Sequence, residues 1–154
     1  MALVHNFTKY VKYGLPRFLV FLVSYAAVGI LIGVAGHNGT SVNQEELNTM
    51  PAATVAIMAM LYAPLMEETV YRGLLRWAIR GSAMFIIVSA LIFGYIHVMD
   101  SGSDLHQWLF ILQYAVLGGY DAYLYVKTNN IFTGILNHFL LNSTMAVLAA
   151  LASL

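Results

Sequence analysis

The chain has 154 residues, of which 60% are hydrophobic and only 9% are charged, and its formal net charge at pH 7 is zero. A soluble domain usually carries about a quarter charged residues, so this composition indicates a membrane protein and excludes a soluble enzyme. The balanced charge gives no sign of a nucleic-acid partner. Because the chain has no cysteine, thiolate nucleophiles, disulfides and thiolate metal sites are excluded as well.

Five apolar segments predict an all-α fold, a polytopic transmembrane helix bundle that forms one membrane-embedded domain over residues 1–154. Basic residues precede the first segment, as they also do in a signal peptide. The apolar part of a signal peptide is only about 7–15 residues long, so we prefer an uncleaved first span. The predicted spans are residues 18–36, 50–80, 82–99, 105–126 and 131–154.

The segments between these spans carry helix-capping and turn residues. Residues 37–49 are predicted to be a polar loop, in which Asn48 or Thr49 caps the second helix. Pro51 is then expected in the first turn of that helix. Pro64 lies inside the same helix, where its missing N–H predicts a kink.

The distribution of cations predicts the orientation of the bundle. With five spans, every cation lies on the side of the N-terminus, and the positive-inside rule predicts a multi-pass protein of the cell membrane whose N-terminus is cytoplasmic. The loop at residues 100–104 then lies outside or dips into the membrane, and the sequence leaves both arrangements open. Asp121 is expected to be an interfacial charge near Lys127. The cations are Lys9, Lys12, Arg17, Arg72, Arg76, Arg80 and Lys127.

Two adjacent glutamates stand at an unusual place in the second span. Glu67 and Glu68 directly follow residues 50–66, which contain no charge. A carboxylate near the middle of a bilayer costs roughly 2.5–3.5 kcal/mol on insertion scales, so such residues are candidates for function. Arg72 lies four residues after Glu68 and shares its helix face. We therefore expect Arg72 to neutralise Glu68, which leaves Glu67 to face a site.

His97 is expected to reach the same depth as these acids, and His138 does so if the Arg72–Arg80 end of the hairpin projects into the cytosol. In a hairpin that turns at Ser82, Glu67 lies 15 positions before the turn and His97 lies 15 positions after it. At 1.5 Å per residue, both are about 22 Å from the turn. His138 and Asn142 are four residues apart and share one face of the last helix. These groups predict one polar site inside the bundle, and the alternative is a purely structural polar network.

The three clusters resemble the signature of the CPBP family of intramembrane proteases, which includes CAAX prenyl endopeptidases and Abi-type and bacteriocin-processing proteins. That signature is a double glutamate with an arginine four residues after the second, then Phe-x-x-x-His, then His-x-x-x-Asn. In this chain the three motifs read Glu67-Glu68-Thr-Val-Tyr-Arg72, Phe93-Gly-Tyr-Ile-His97 and His138-Phe-Leu-Leu-Asn142.

The resemblance implies an endopeptidase that hydrolyses a peptide bond in a membrane-proximal or lipidated peptide or protein beside the lipid bilayer. Glu67 would act as the general base on a water that His97 orients. His138 and Asn142 would stabilise the oxyanion. The alternative is a non-enzymatic membrane protein of the same fold that binds a peptide or partner in immunity or signalling. The residues expected to support the architecture are Glu68, Arg72 and Phe93.

A metal-free site is the preferred interpretation, with no cofactor expected. Zinc peptidases commonly carry two histidines four residues apart, whereas the residue four after His138 is Asn142. Zinc is the alternative, because Glu67, His97 and His138 offer three ligands of the kinds that zinc takes.

Overall fold

The computed structural model describes residues 2–35, 39–102 and 104–152. Within these ranges the regular structure is helical and contains no strand, which confirms the predicted all-α fold. The last positions of the first and fifth predicted spans, residues 36 and 153–154, lie outside the described residues. The helices of the described chain are α1 (Ala2–Tyr13), α2 (Leu15–Val34), α3 (Val42–Asn48), α4 (Ala52–Ala78), α5 (Ser82–Ile96), α6 (Leu105–Trp108), α7 (Phe110–Thr128) and α8 (Ile131–Ala152).

Helix α3 lies within the segment that the sequence analysis predicts to be a polar loop. Its first turn is capped by Ser41, whose Oγ accepts a hydrogen bond from the backbone N–H of Gln44 at 3.2 Å. The predicted cap of the next helix is wrong, because α4 follows Pro51 without any side-chain cap. Thr49 instead donates its hydroxyl hydrogen to the carbonyl of Glu46, 2.7 Å away at the end of α3.

Helix α4 runs without interruption but changes its hydrogen-bond register at two places. Met58–Tyr62 and Thr69–Leu74 are π-helical. At the first of these segments the N–H of Ala63 bonds to the carbonyl of Met58, five residues back. The next residue is Pro64, which has no N–H to offer. A widened turn thus lies directly ahead of Pro64 and Glu67.

Helix α7 is the central helix of the bundle and packs against α5, α8 and α2. Small residues let α5 and α7 approach closely. A Cβ atom on Gly94 would lie only 2.6 Å from the carbonyl oxygen of Ile111, and one on Gly118 only 2.6 Å from the Cβ of Phe93. This close contact fixes the end of α5, where His97 follows the last helical residue.

Among the described residues, four helices are long and apolar enough to cross a membrane. Helix α7, which corresponds to the predicted fourth span at 105–126, is not one of them. Its charged residue Asp121 is fully buried, so neighbouring helices shield it from lipid. The four candidate spans are Leu15–Val34, Ala52–Ala78, Ser82–Ser101 and Ile131–Leu151.

Candidate active site

The three sequence motifs meet at one place in the bundle. Glu67 lies on α4, His97 directly follows the end of α5, and His138 lies on α8. The Oε2 atom of Glu67 lies 3.8 Å from Nε2 of His97 and 4.0 Å from Nε2 of His138. The matched depth that the sequence predicts for these side chains is therefore present in the structure.

Glu67 is the residue that both imidazoles face. Its side chain is 24% exposed, whereas those of His97 and His138 are 13% and 4% exposed. The Oε2 atom is itself buried and makes no hydrogen bond within the described protein. The carboxylate is thus reachable from one side and lacks a protein donor at the oxygen that faces the rings.

His97 is held in a defined orientation. Its Nδ1 atom lies 2.8 Å from the carbonyl oxygen of Phe93, one of the last helical carbonyls, which have no partner within the helix. A carbonyl oxygen only accepts, so Nδ1 is the protonated nitrogen of His97. The ring of Phe93 packs against the imidazole with centroids 4.4 Å apart. Nε2 of the neutral ring is then an acceptor aimed toward Glu67.

Behind this centre lies a buried ion pair. Glu68 and Arg72 are both fully buried, with Glu68 Oε2 2.9 Å from Arg72 Nε, which confirms the predicted contact between them. Nδ1 of His138 lies 3.3 Å from Glu68 Oε1. The guanidinium also lies over the ring of Phe93, with Cζ 4.9 Å from its centroid. Arg72 is thus linked to both histidines, through Glu68 on one side and Phe93 on the other.

Asp121 is fully buried, so the prediction that it is an interfacial charge is wrong. Its Oδ2 lies 3.7 Å from Arg72 NH2, and its Oδ1 accepts a hydrogen bond from Asn137 Nδ2 at 2.7 Å. Lys127, the expected neighbour of Asp121, lies instead over the ring of Tyr123. In the sequence, Asn137 stands directly before His138, and this position could have marked it as part of the site. No rule of helical spacing, however, pairs Asn137 with Asp121 on another helix.

Asn142 faces a backbone group. Its Nδ2 donates a hydrogen bond of 2.6 Å to the carbonyl oxygen of Ala59. In the π-helical register, this carbonyl would bond to the N–H five residues on, and that residue is Pro64. Asn142 therefore supplies a donor that the helix itself lacks, and it joins α8 to α4 one turn beyond His138.

A cleft of about 270 Å³ opens beside the catalytic candidates. Helix α3 forms one side, and the end of α5 with the turn that follows it forms the other. Both Glu67 and His97 line the cleft, so a ligand there reaches the carboxylate directly. The lining residues are Val42, Asn43, Glu46, Glu67, Tyr71, Ile96, His97, Asp100 and Ser101.

Two donor sets are of the kind that bind metals. Glu68, Asp121 and His138 bring ligand atoms within 4.8 Å of one another, but the guanidinium of Arg72 already pairs with both carboxylates. Glu67 with the Nε2 atoms of the two histidines is the second set. Each of these rings has its other nitrogen bonded to a carbonyl or carboxylate oxygen, as zinc-binding histidines do. The second set therefore offers three ligands of the kinds that zinc takes.

Comparison with known proteins adds an independent finding. Residues 49–144, more than half of the chain, match the family described as type II CAAX prenyl endopeptidase Rce1-like. This match confirms the resemblance that the three motifs predict. The chain is also 26% identical over 95 residues to the Bacillus subtilis (strain 168) protein described as "Putative membrane peptidase YdiL". The aligned region covers 60% of this chain but only 36% of that protein. No solved structure matches the chain.

Proposed function

Because the chain belongs to the type II CAAX prenyl endopeptidase Rce1-like family, we propose that it is an intramembrane endopeptidase. Its substrate is a membrane-proximal or lipidated peptide or protein, which it binds in the cleft beside α3. The proposal rests on one observation: the Nε2 atoms of His97 and His138 lie 3.8 and 4.0 Å from the Oε2 atom of Glu67.

The separations at this centre suit a bridging water. Both exceed the length of a direct hydrogen bond, and a water often lies between polar groups at such distances. A water there donates one hydrogen to Glu67 and the other to Nε2 of His97, which accepts because Nδ1 bears the proton. Glu67 is then the general base that removes a proton as the water attacks the peptide carbonyl, and His97 orients the water.

The oxyanion formed by this attack needs donors. We assign them to His138 and Asn142, which lie one turn apart on α8. Because Nδ1 of His138 donates to the Glu68 carboxylate, Nε2 donates to the oxyanion only when it carries a hydrogen as well. Asn142 has two amide hydrogens, one of which bonds to Ala59. The second is the donor assigned to the oxyanion.

This mechanism requires no metal. Zinc peptidases combine their ligands with a separate carboxylate base, and here Glu68 and Asp121 are both paired with Arg72. Glu67 is the carboxylate that remains for the base. In the zinc alternative, Glu67, His97 and His138 would hold the ion, which would supply a Lewis acid at the scissile carbonyl.

The first experiment measures turnover by the purified protein in detergent and in proteoliposomes. The probes are an internally quenched farnesylated CAAX peptide and its unprenylated counterpart. Glu67→Gln keeps the shape of the side chain but removes the base, so turnover should fall by at least about 10²-fold with the fold intact. Glu45→Gln, an exposed glutamate on α3, is the control and should retain turnover.

The outcomes separate the protease from its alternative. Retention of full turnover by Glu67→Gln contradicts the assignment of the base. Saturable binding of the peptide without any cleavage by the unmodified protein supports the non-enzymatic membrane protein that binds a peptide.

Metal dependence is tested on the same preparation. We expect turnover to persist after exhaustive chelation by EDTA and 1,10-phenanthroline, with no stoichiometric zinc by elemental analysis. Stoichiometric zinc, together with activity that is lost on chelation and restored by zinc alone, favours the zinc alternative.

A further inference from the structure

The imidazole of His97 lies between two aromatic rings. Phe93 covers one side with centroids 4.4 Å apart, and Tyr114 stacks against the ring with centroids 4.3 Å apart and planes 22° apart. The bond from Nδ1 to the carbonyl of Phe93 fixes one edge of the imidazole. This bond alone would still let the imidazole tilt. The two aromatic rings restrict that tilt and so hold Nε2 of His97 3.8 Å from Oε2 of Glu67.

The hydroxyl of Tyr114 makes a second connection, to the segment that begins α3. Its oxygen lies 2.7 Å from Ser41 Oγ and accepts a hydrogen bond of 3.3 Å from Asn43 Nδ2. Ser41 is the N-cap of α3 and is almost fully buried. One residue of the central helix α7 thus touches both the imidazole and the helix that lines the cleft.

Gln107 holds the same segment from a neighbouring point. Its Oε1 accepts from the N–H of Val42 at 3.1 Å, and its Nε2 donates to the carbonyl of Thr40 at 3.2 Å. The start of α3 is therefore bonded to α6 and α7 at several points. Loss of the Tyr114 hydroxyl would loosen α3 without freeing it.

We propose that Tyr114 is a positioning residue for the reaction: its ring orients His97, and its hydroxyl holds the α3 side of the substrate cleft. This inference rests on the proposed function, in which His97 orients the attacking water. The ring and the hydroxyl of this one side chain have different effects. The ring governs the chemical step, whereas the hydroxyl governs how well substrate is held.

The first readout needs no substrate. The protein is labelled with ¹⁵N-histidine and studied in detergent micelles by NMR, with the signals of His97 assigned by their loss in His97→Gln. Tyr114→Phe should keep the pattern of a ring protonated at Nδ1, whereas Tyr114→Leu should broaden or shift it. Tyr120→Leu is the matched control, because this α7 tyrosine stacks on Phe21 at 4.6 Å and donates its hydroxyl hydrogen to the carbonyl of Gly14 at 3.3 Å, and it should leave the His97 signals unchanged.

The second readout uses the farnesylated quenched peptide. Tyr114→Leu should lower kcat by about 10²-fold, the cost of a small displacement of a catalytic group. Tyr114→Phe should keep kcat within about twofold while KM rises several-fold. Tyr120→Leu should lower the thermal stability by about as much as Tyr114→Leu does. Its kcat, however, should remain that of the unmodified protein.

Unchanged His97 signals in Tyr114→Leu would overturn the proposal, whatever the kinetics. Equal losses of kcat in Tyr114→Leu and Tyr120→Leu would reduce the role of Tyr114 to packing. If the unmodified protein fails to cleave the peptide, the proposed function fails on that substrate, while the NMR comparison still decides whether Tyr114 positions His97.

Discussion

At the scale of single residues, the site depends on one buried cation. Arg72 is fully buried beside two fully buried carboxylates, with Nε 2.9 Å from Glu68 and NH2 3.7 Å from Asp121. Its NH2 also donates to the carbonyl of Gly118 at 3.1 Å. Burying charges is costly, and removal of one partner leaves the other uncompensated. Arg72 therefore supplies the positive charge that offsets these two buried acids.

Arg72→Ala should lower the free energy of unfolding by about 3–5 kcal/mol, because it leaves buried carboxylates without their cation. The measurement is unfolding of the purified protein in mixed micelles, followed by circular dichroism. Arg80→Ala removes an exposed arginine on the 79–81 turn and should change stability by less than about 0.5 kcal/mol. Equal stability of the two variants would show that Arg72 does not stabilise the cluster.

At the scale of elements, helix α4 is built around an irregularity. The π-helical segment Met58–Tyr62 and Pro64 together leave the carbonyl of Ala59 without a donor from residue 64, and Asn142 supplies one at 2.6 Å. The contact spans two helices and lies one turn from His138. The irregular turn of α4 thus helps to align α8 beside it. Asn142 has this aligning role in addition to the proposed contact with the oxyanion.

A double-mutant cycle tests the link between Asn142 and Pro64. Asn142→Ala should destabilise the protein more in the original background than in Pro64→Ala, where a new backbone N–H is available to the freed carbonyls. The coupling should be about 0.5–3 kcal/mol, the range for groups in one hydrogen-bond network, measured from unfolding in mixed micelles. Strict additivity would mean that Asn142 does not compensate for the proline.

Kinetics of the same variants address the oxyanion role. If Asn142 donates to the oxyanion, Asn142→Ala should lower kcat by about 10²–10³-fold in both backgrounds, since that contact is independent of residue 64. Recovery of kcat in the double variant would assign the loss to helix alignment instead.

At the scale of the whole molecule, the two ends of the bundle differ in charge. Lys9 Nζ donates to the carbonyl of Thr128 at the end of α7, which places the N-terminal helix beside the turn between α7 and α8. Arg76 donates to the carbonyl of Arg80 at the turn after α4. At the opposite end, the cleft is lined by acidic Glu46 and Asp100. With this asymmetry, the positive-inside rule predicts a cytoplasmic N-terminus and a cleft that opens on the external side.

The absence of native cysteine allows a direct test of this orientation. We expect Glu45→Cys in intact cells to react with a membrane-impermeant maleimide, because the predicted orientation places α3 on the external side. Arg80→Cys should react only after permeabilisation. The reverse pattern would invert the orientation, and labelling of both sites in intact cells would contradict the arrangement of spans.

The helical membrane architecture, the family and the contacts within single helices could all be predicted from the sequence. Glu68 meets Arg72 and Phe93 meets His97 because residues four apart on a helix are neighbours. The approach of Glu67 to His97 could be predicted as well, since constant helical rise fixes relative depth in a hairpin.

The side chains that pack against these groups could not be predicted in the same way, because they come from other helices. Asp121 and Tyr114 both lie on α7, yet one meets Arg72 and the other meets His97 and Ser41. Helical spacing relates residues within about one turn, whereas these contacts depend on how far apart and at what rotation separate helices pack. That packing is set by close approaches such as Gly94 on Ile111, which no local pattern encodes. For the same reason, the position of α3 over the cleft came from the fold and not from its own seven residues.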